Sequence, residues 1–218
     1  MIYITSDIHG RKDRLDDILR QIKLTNKDTL YILGDVIDRN PDGIAILKYL
    51  MDKPNIKMLL GNHEYMMLNA LKNEDDIPLW YRNGGRTTHN RWKKYRIDIR
   101  EKILGYLNAL PILLEFELNG KRYRLVHGKS PSKQKLESLS IEELKKEILW
   151  DRVRDYDTVP EDIIVIFGHT PTFYYQNCNP AQIWHKDNLV GIDCGAAYLD
   201  GRLACLRLDD MKEFYSTI

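Results

Sequence analysis

The first third of the chain alternates short apolar runs with stretches of helical periodicity. Strands are predicted at Met1–Thr5, Leu30–Leu33 and Asn55–Leu60, where apolar residues lie between polar or turn-forming ones. Between the first two strands, apolar residues follow the spacing of a helix with one buried face. They are Leu15, Ile18, Leu19 and Ile22. This alternation is typical of an α/β fold with parallel strands.

A second helix is predicted between the second and third strands. Asn40 can cap it, and Pro41 suits the first helical position because the missing proline N–H would be unpaired there anyway. Its buried stripe consists of Ile44, Leu47 and Met51. We therefore expect this helix to begin at Pro41.

Residues 64–110 are predicted to be mostly helical, with a loop in the middle. One short helix spans Tyr65–Leu71. Another has an apolar face made of Ile103, Leu104, Leu107 and Leu110. The loop between them covers Trp80–Thr88 and contains adjacent glycines. Because glycine lets the backbone approach a ligand closely, Asn83 and Gly84 are candidate substrate-binding residues.

The second half of the chain changes to antiparallel pairing. The dipeptide Asn119-Gly120 is a hairpin signature, which predicts that Ile112–Glu117 pairs with Tyr123–His127. Three later apolar runs complete the predicted strands: Ile163–Phe167, Leu189–Ile192 and Leu203–Leu208. A second sheet is expected from this change of pattern.

The hydrophobic content of the chain indicates how large a core it can form, and its charge balance indicates which binding partners it favours. The 218 residues are 43% hydrophobic, which is enough for one full core, and we expect a single catalytic domain over residues 1–218. Lysine plus arginine number 33 against 32 for aspartate plus glutamate. No overall charge therefore favours a nucleic acid or a membrane surface as partner.

The cysteines and the start of the chain bear on location. Three cysteines without a Cys-x-x-Cys spacing argue against a disulfide framework and a thiolate zinc site. The first predicted strand begins at Met1, which leaves no room for a signal peptide. Apolar runs such as Ile163–Phe167 are too short to span a bilayer. A soluble, cytoplasmic protein is the expectation.

Side chains that can bind a metal follow five of the strand-like runs. They are Asp7 with His9, Asp35, Asn62, His127 and His169. Asp7, Asp35 and Asn62 are 28 and 27 residues apart, about one strand–helix repeat, which places them on neighbouring parallel strands. Since α/β sheets build their sites at the carboxyl ends of strands, we expect the tips to form one site.

The donor set mixes oxygen with imidazole nitrogen and lacks thiolate. Such ligands suit manganese, iron or zinc. They are too many for one tetrahedral ion, but they fit two divalent ions if Asp35, on the middle strand, is shared. Two ions about 3.5–4 Å apart lower the pKa of a bound water and hold the oxygens of a phosphoryl group. Phosphoester hydrolysis is therefore the predicted reaction.

Four further residues complete the predicted chemistry. His63 follows Asn62 and would face the same opening, where it could protonate the leaving oxygen. Asp38 is the carboxylate expected to orient its imidazole and support the charged form. Arg39 and Arg152 can supply planar guanidinium groups that bind the non-bridging phosphate oxygens.

The same residues occur in a specific order along the chain. It comprises Asp7-x-His9, Gly34-Asp-x-x-Asp-Arg39, Gly61-Asn-His-Glu64, His127 and Gly168-His169. This order resembles the PPP-type serine/threonine protein phosphatases of the calcineurin-like metallophosphoesterase superfamily. Asn83-Gly-Gly and the stretch Trp150-Asp-Arg152 are similar to the small bacterial and phage members.

The resemblance implies a fold and a site. The fold is two mixed β-sheets packed as a sandwich and flanked by helices. The first metal takes Asp7, His9 and Asp35, the second takes Asp35, Asn62, His127 and His169, and the acid is His63 paired with Asp38. Manganese is the first expectation for both ions, with iron or zinc as alternatives. A hydroxide that bridges the ions would attack phosphorus directly.

Three activities remain open at this point. The first expectation is hydrolysis of phosphoserine or phosphothreonine in a protein or peptide. Symmetrical dinucleoside-tetraphosphate hydrolases look similar through the same motifs but are longer, so the brevity of this chain favours the protein phosphatase. A non-catalytic scaffold that binds phosphorylated partners would need the ligands without the acid, yet His63 and Asp38 are both present.

Overall fold

Two five-stranded sheets form the centre of the molecule. The computed structural model describes residues 1–217. Its strands are β1 (Ile2–Thr5), β2 (Thr29–Ile32), β3 (Ile56–Met58), β4 (Leu113–Leu118), β5 (Lys121–Val126), β6 (Ile163–Phe167), β7 (Trp184–Lys186), β8 (Leu189–Gly191), β9 (Ala204–Arg207) and β10 (Lys212–Tyr215). The first sheet has the order β10-β9-β1-β2-β3, and the second has the order β4-β5-β6-β8-β7.

The described residues also form eight α-helices. They are α1 (Lys12–Ile22), α2 (Gly43–Met51), α3 (Asn62–Lys72), α4 (Ile77–Arg82), α5 (Gly85–Trp92), α6 (Ile97–Asn108), α7 (Lys133–Ser138) and α8 (Ile141–Trp150). Among residues 1–217, no helix combines the length and the hydropathy that crossing a membrane requires.

The strands β1, β2 and β3 lie side by side and parallel, as the spacing of the candidate ligands predicts. Thr5 is opposite Ile32, and Ile32 is opposite Met58. The three strands therefore end at one level, and the residues that follow them leave the sheet at the same edge. β2 is the middle strand of the three, which puts Asp35 between the other two tips.

The strands β4 and β5 form the predicted antiparallel hairpin. Leu118 pairs with Lys121 across Asn119 and Gly120, whose φ angles are 52° and 74°. Left-handed backbone at both positions makes the turn that matches the twist of paired strands. From β5 onward the pairing is parallel through β6 to β8, so the residues after β5 and β6 leave the second sheet at one edge.

The two sheets pack face to face over a shared apolar layer. Ile4 and Leu206 of the first sheet and Leu125 and Ile166 of the second are completely buried in one cluster. Helices α1 and α2 contribute to a second cluster with the other face of the first sheet. This arrangement confirms the expected sandwich of two mixed sheets flanked by helices.

The helix predicted to begin at Pro41 begins instead at Gly43. Asp38 has a left-handed φ of 71°, and the Asn40 N–H donates a hydrogen bond to the Asp38 carbonyl at 2.7 Å. The chain therefore completes a turn before the helix can start. A Cβ on Gly43 would lie only 2.7 Å from the Ile37 Cα, which shows how closely this turn folds back.

The loop predicted over Trp80–Thr88 is wrong, because α4 and α5 cover all of it except Asn83 and Gly84. Gly84 has a φ of 96° and separates the two helices. Its neighbour Gly85 is already helical, and a Cβ there would lie 2.3 Å from the Trp80 ring. The second glycine therefore serves close packing rather than an open loop.

Other elements also differ from the predicted set. Helix α3 begins at Asn62 rather than Tyr65 because the Glu64 side chain accepts the Gly61 N–H at 3.1 Å and caps the first turn. The elements α7, β7 and β10 have no predicted counterpart. Each is short, and β10 depends on its pairing with β9.

Candidate metal centre and active site

The tips of the strands from both sheets meet at one point. The Asp7 N–H donates to the Gly34 carbonyl at 3.2 Å, and the His9 N–H donates to the Asp35 carbonyl at 2.9 Å. In the second sheet, the Gly168 N–H donates to the His127 carbonyl at 2.8 Å. These contacts join neighbouring tips within each sheet, and the 2.8 Å contact from His127 Nδ1 to the Leu33 carbonyl joins the two sheets.

The Asp35 carboxylate lies at the centre of that space. Its Oδ2 is 3.7 Å from His9 Nε2, 3.4 Å from His127 Nε2 and 3.8 Å from His63 Nε2. Two ligands of one cation bound at about 2.1 Å are separated by roughly 3–3.5 Å, so the observed distances suit donors around an ion. The position of Asp35 fits the predicted bridging role.

A second group of donors surrounds the Asn62 amide. Its Oδ1 lies 2.8 Å from His127 Nε2 and 3.0 Å from His169 Nδ1. Donor atoms of Asp35, His127 and His169 all lie within 4.8 Å of one another, as do those of His9, Asp35 and His63. Asp35 therefore belongs to both groups, and in the first of them His63, the predicted acid, stands where the prediction has Asp7.

Asp7 enters the site from the end of β1. Its Oδ1 is 4.0 Å from His9 Nε2. Its Oδ2 accepts hydrogen bonds from Ser6 Oγ at 2.5 Å and from the His169 N–H at 3.0 Å. A Cβ on Gly168 would lie 2.3 Å from that Oδ2. Glycine at this position therefore lets the tips of β1 and β6 approach closely.

Backbone carbonyls fix the orientation of two imidazoles. His9 Nδ1 lies 2.9 Å from the Ile37 carbonyl, and His127 Nδ1 lies 2.8 Å from the Leu33 carbonyl. A carbonyl can only accept, so each Nδ1 carries the proton and each Nε2 faces the site. This is the arrangement of metal-binding histidines whose other nitrogen is held by the protein.

Burial and mutual charge set the ionisation of the site. Burial raises the pKa of Asp35, but the imidazoles of His127 and His63 outweigh it, and the net pKa is well below the usual range. Burial, followed by His127, lowers the pKa of His169 to about 3. Burial and then His63 lower the pKa of His9. His127 differs, because burial lowers its pKa but the Asp35 charge outweighs burial and raises the pKa of this imidazole to about 9. Metal binding at His127 would therefore release a proton, since a metal binds the neutral imidazole.

His63 and Asp38 form a buried pair beside the ligand groups. His63 Nδ1 donates to Asp38 Oδ2 at 2.7 Å, and the His63 backbone N–H donates to Asp35 Oδ1 at 3.0 Å. Burial lowers the pKa of His63, but the charges of Asp35 and Asp38 raise it more, and the net shift is upward. The contact with Asp38 therefore favours the protonated form of the His63 imidazole.

Glu64 organises the site without belonging to it. Its Oε1 accepts the Val36 and Ile37 N–H groups at 2.9 and 3.2 Å, and its Oε2 accepts those of Asp35 and Gly61 at 2.9 and 3.1 Å. Burial, followed by the Asp35 charge, raises the pKa of Glu64 to about 7. Four donors aimed at its two oxygens favour the ionised form.

Left-handed backbone is concentrated at the site. Residues with positive φ include Asp7, His9, Asp35, Asp38, Arg39 and His169. Non-glycine residues in this region each cost roughly 1–3 kcal/mol and persist where the surroundings impose them. The tips are therefore held in fixed conformations that point several donors toward one another.

A cleft of about 480 Å³ opens beside His169 and is lined by both predicted phosphate-binding arginines. Arg39 is exposed, and its guanidinium lies 5.8 Å from the centre of the Tyr198 ring. Arg152 is also exposed, and its Nη1 donates to Thr170 Oγ1 at 3.3 Å. Two guanidinium groups therefore flank the approach to the candidate ligands.

The two predicted loop residues lie behind Arg39. The Asn83 side-chain amide donates to the Leu79 carbonyl of the preceding helix at 2.9 Å. The Gly84 carbonyl accepts the Arg39 N–H at 3.2 Å, and a Cβ on Gly84 would lie 2.9 Å from Arg39 Cγ. Gly84 thus contacts a predicted substrate-binding side chain, and direct substrate contact by either residue stays a prediction.

Three residues that support the site are not assigned by the sequence patterns. Glu64 stands in the Gly61-Asn-His-Glu motif, and its place in that ordered motif is the signal that could have found it. Trp80 Nε1 donates to Asp38 Oδ2 at 2.9 Å, and Thr88 Oγ1 accepts the Asp38 N–H at 2.9 Å. Both lie in the segment predicted as a loop, where the sequence carries no signal of contact with Asp38.

The fold and the donor groups define a metallophosphoesterase, and comparison with known proteins agrees. The family model for calcineurin-like phosphoesterases matches residues 1–195. The chain therefore belongs to the calcineurin-like phosphoesterase family. Members of this family hold divalent metal ions, which accords with the candidate ligand groups.

Two bacterial relatives of known name are similar to most of this chain. Serine/threonine-protein phosphatase 2 of Salmonella typhimurium is 27% identical over 208 residues, covering 95% of this chain and 92% of that protein. The protein of the same name from Escherichia coli is 30% identical over 176 residues, covering 77% and 78%. The predicted resemblance to bacterial PPP-type phosphatases is confirmed.

Other matches share the fold or part of the sequence. A symmetrical bis(5'-nucleosyl)-tetraphosphatase of Cronobacter sakazakii is 35% identical over 68 residues, which are 30% of this chain and 24% of that protein. A crystal structure named for diadenosine tetraphosphatase superposes with a TM-score of 0.69 at 20% identity, covering 98% of this chain and 91% of the other. The latter likeness shows the fold alone.

Proposed function

We propose that this protein is a metal-dependent phosphomonoesterase that hydrolyses phosphoserine and phosphothreonine in proteins. The observation that carries the proposal is the convergence on Asp35, where three imidazoles from separate elements face one carboxylate oxygen beside a buried His63–Asp38 pair. The likeness to serine/threonine-protein phosphatase 2 over 95% of the chain supports the substrate class.

The donor set fits two divalent cations, with manganese as the first candidate. One would be held by Asp7, His9 and Asp35, and the other by Asp35, Asn62, His127 and His169. When bound, such ions lower the pKa of a water and neutralise charge on phosphoryl oxygens. The carbonyl bonds from His9 and His127 keep each Nε2 directed at the ions.

His63 is the proposed general acid. Its Nδ1 proton is engaged by Asp38 at 2.7 Å, which leaves the Nε2 proton for the leaving oxygen. A serine or threonine alkoxide is a poor leaving group, so protonation as the ester bond breaks lowers the barrier. Asp38 fixes the ring and stabilises its charged form, since a buried imidazolium needs a counter-charge.

Arg39 and Arg152 are the proposed phosphate-binding residues. Both line the cleft beside His169, and their exposed guanidinium groups can reach a phosphoryl group at the metal centre. Planar guanidinium matches two phosphate oxygens at once, which gives orientation as well as charge. The three free cysteines suit a reducing compartment such as the cytoplasm, which is the proposed location.

Leaving-group dependence tests the proposal. His63→Ala should lower kcat on a phosphoserine peptide by about 10²–10⁴-fold. The same variant should affect nitrophenyl phosphate far less, because nitrophenolate leaves without a proton. Asp35→Ala should abolish turnover of both substrates, since it removes the shared ligand.

Two outcomes would contradict the proposal. Equal losses on both substrates in the His63 variant would refute the acid role. No turnover in a fully metallated wild-type sample would favour a phosphoprotein-binding scaffold.

A second candidate keeps the chemistry and changes the substrate. The 68-residue match to a symmetrical bis(5'-nucleosyl)-tetraphosphatase makes dinucleoside tetraphosphates the alternative. Measuring kcat/KM for diadenosine tetraphosphate and for a phosphoserine peptide on one metallated preparation separates the two. The proposal requires the peptide to be the better substrate.

A further inference from the structure

The hydrogen bonds around Asp38 extend beyond the His63 pair. Asp38 is completely buried, and its Oδ2 accepts two donors, His63 Nδ1 at 2.7 Å and Trp80 Nε1 at 2.9 Å. Its Oδ1 has no hydrogen-bond partner within residues 1–217. The rotation of this carboxylate is therefore set by two donors that converge on the same oxygen.

The indole is the fixed member of this trio. Trp80 is completely buried, and its ring lies 5.3 Å from that of His89. A Cβ on Gly85 would come within 2.3 Å of Trp80 Nε1. Helix α5 thus begins in direct contact with the indole, and this contact holds the N–H in its direction.

Trp80 lies in α4, and the next helix, α5, contacts the Asp38 backbone. Thr88 Oγ1 in α5 accepts the Asp38 N–H at 2.9 Å, while Asp38 keeps a left-handed φ of 71°. Asp38 is therefore hydrogen-bonded at two places, through its carboxylate to Trp80 of α4 and through its backbone N–H to Thr88 of α5. Without the indole bond, the buried carboxylate would keep a single side-chain donor and could rotate toward its unpaired oxygen.

We infer that Trp80 is a positioning residue for the general acid, acting through Asp38 on the direction of the His63 ring. This inference rests on the proposed role of His63. The hydrogen bond from the indole N–H fixes the position of Asp38 Oδ2 and stabilises its negative charge. The His63 imidazole, which donates to the same oxygen, therefore keeps its Nε2 directed at the leaving oxygen. On this inference, the close packing of the segment from Trp80 to Thr88, which includes the Gly84-Gly85 pair, serves catalysis by fixing Asp38.

Trp80→Phe removes the N–H and keeps a buried ring. We expect kcat on a phosphoserine peptide to fall by about 10-fold, the lower range found for groups that orient a functional residue. KM and the kcat on nitrophenyl phosphate should change by less than about 3-fold, as a substrate that needs no acid is insensitive to its direction. Trp92→Phe is the matched control, because Trp92 is a buried tryptophan of α5 and should leave both rates unchanged.

A double-mutant cycle separates positioning from general support of the fold. In an Asp38→Asn background, Trp80→Phe should cost little further activity on the phosphoserine peptide, because the path through Asp38 is already broken. Additive losses would overturn the inference. So would equal losses on the two substrates, or the same losses in Trp92→Phe.

A second variant covers the case in which Trp80→Phe does not fold. Gly85→Ala keeps the indole but forces it away from its position, and it should show the same selective loss on the phosphoserine peptide. Unselective loss or none would count against the inference. His63→Ala is assayed alongside: if it shows the selectivity and the Trp80 and Gly85 variants do not, the positioning role alone fails, whereas no selectivity in His63→Ala means that the acid assignment fails.

Discussion

The Glu64 carboxylate lies behind the backbone of Asp35, and its Oε2 accepts the Asp35 N–H at 2.9 Å and the Gly61 N–H at 3.1 Å. One buried side chain thereby ties the tip of β2 to the start of α3. The backbone that carries the central carboxylate of the candidate metal site is therefore held by a completely buried side chain.

Glu64→Gln should destabilise the fold. The amide offers one acceptor oxygen where two oxygens accept four N–H groups, and its NH₂ would face donors. The two N–H groups that face the amide nitrogen lose their acceptor, and each unpaired buried N–H costs about 1–3 kcal/mol. We therefore expect a loss of roughly 2–6 kcal/mol in the free energy of unfolding, measured by urea denaturation. Glu74→Gln, at an exposed position, is the control. A change in Glu64→Gln no larger than in this control would contradict the structural role.

A pair of glycine substitutions tests how closely the tips approach. A Cβ on Gly61 would lie 2.3 Å from Asp35 Oδ1 and 2.4 Å from its backbone nitrogen. Gly61→Ala must therefore displace the central carboxylate, and turnover should fall by about 100-fold, the cost of a misplacement near 1 Å. Steady-state assay on nitrophenyl phosphate is the measurement, and near-wild-type activity would show that the site tolerates more space than the structure has.

Gly105→Ala is the matched substitution with the opposite expectation. Gly105 lies inside α6, and among residues 1–217 a Cβ added there would meet no atom within 4 Å apart from its chain neighbours and the backbone of its own helix. Replacing glycine by alanine in an open helix position stabilises by about 0.5–1 kcal/mol. Turnover should be unchanged and the urea midpoint should rise. A destabilised Gly105→Ala protein would disagree with the packing described for α6.

The cysteines should differ in reactivity. Burial raises the pKa of Cys194 to about 12 and also raises that of Cys205, while Cys178 is partly exposed. Thiolate is the reactive form, so a thiol reagent should label Cys178 alone in the native protein and all three cysteines after unfolding. Mass spectrometry of the labelled peptides checks this, and rapid native labelling of Cys194 would contradict its buried, neutral state.

The part of the site carried by strand tips could be predicted from sequence. The spacing of Asp7, Asp35 and Asn62 reflects the regular repeat of a strand and its helix, and the structure places β1, β2 and β3 side by side as expected. Local patterns also locate the hairpin at Asn119 and Gly120. These features depend on short-range periodicity, which an amino-acid sequence displays directly.

Contacts between distant segments could not be predicted in this way. Trp80 meets Asp38 across 42 residues, and the paired glycines beside Trp80 predict a loop because such pairs usually mark one. Glu64 stands within a recognised motif, but its four backbone partners become visible only when the tips are folded together. Strand β10 depends on β9 rather than on its own pattern. The single-domain organisation and the roles of the individual site residues stay predictions.

Metal stoichiometry tests the central claim most directly. Metal-free protein titrated with Mn²⁺ and followed by calorimetry, with metal analysis after desalting, should bind two ions per chain. Asp35→Asn should lose tight binding of both, since both ligand groups include Asp35, whereas Asp13→Asn, at an exposed carboxylate, should keep both. Two ions retained by the Asp35 variant, or none bound by the wild type, would contradict a shared metal centre built from the strand tips.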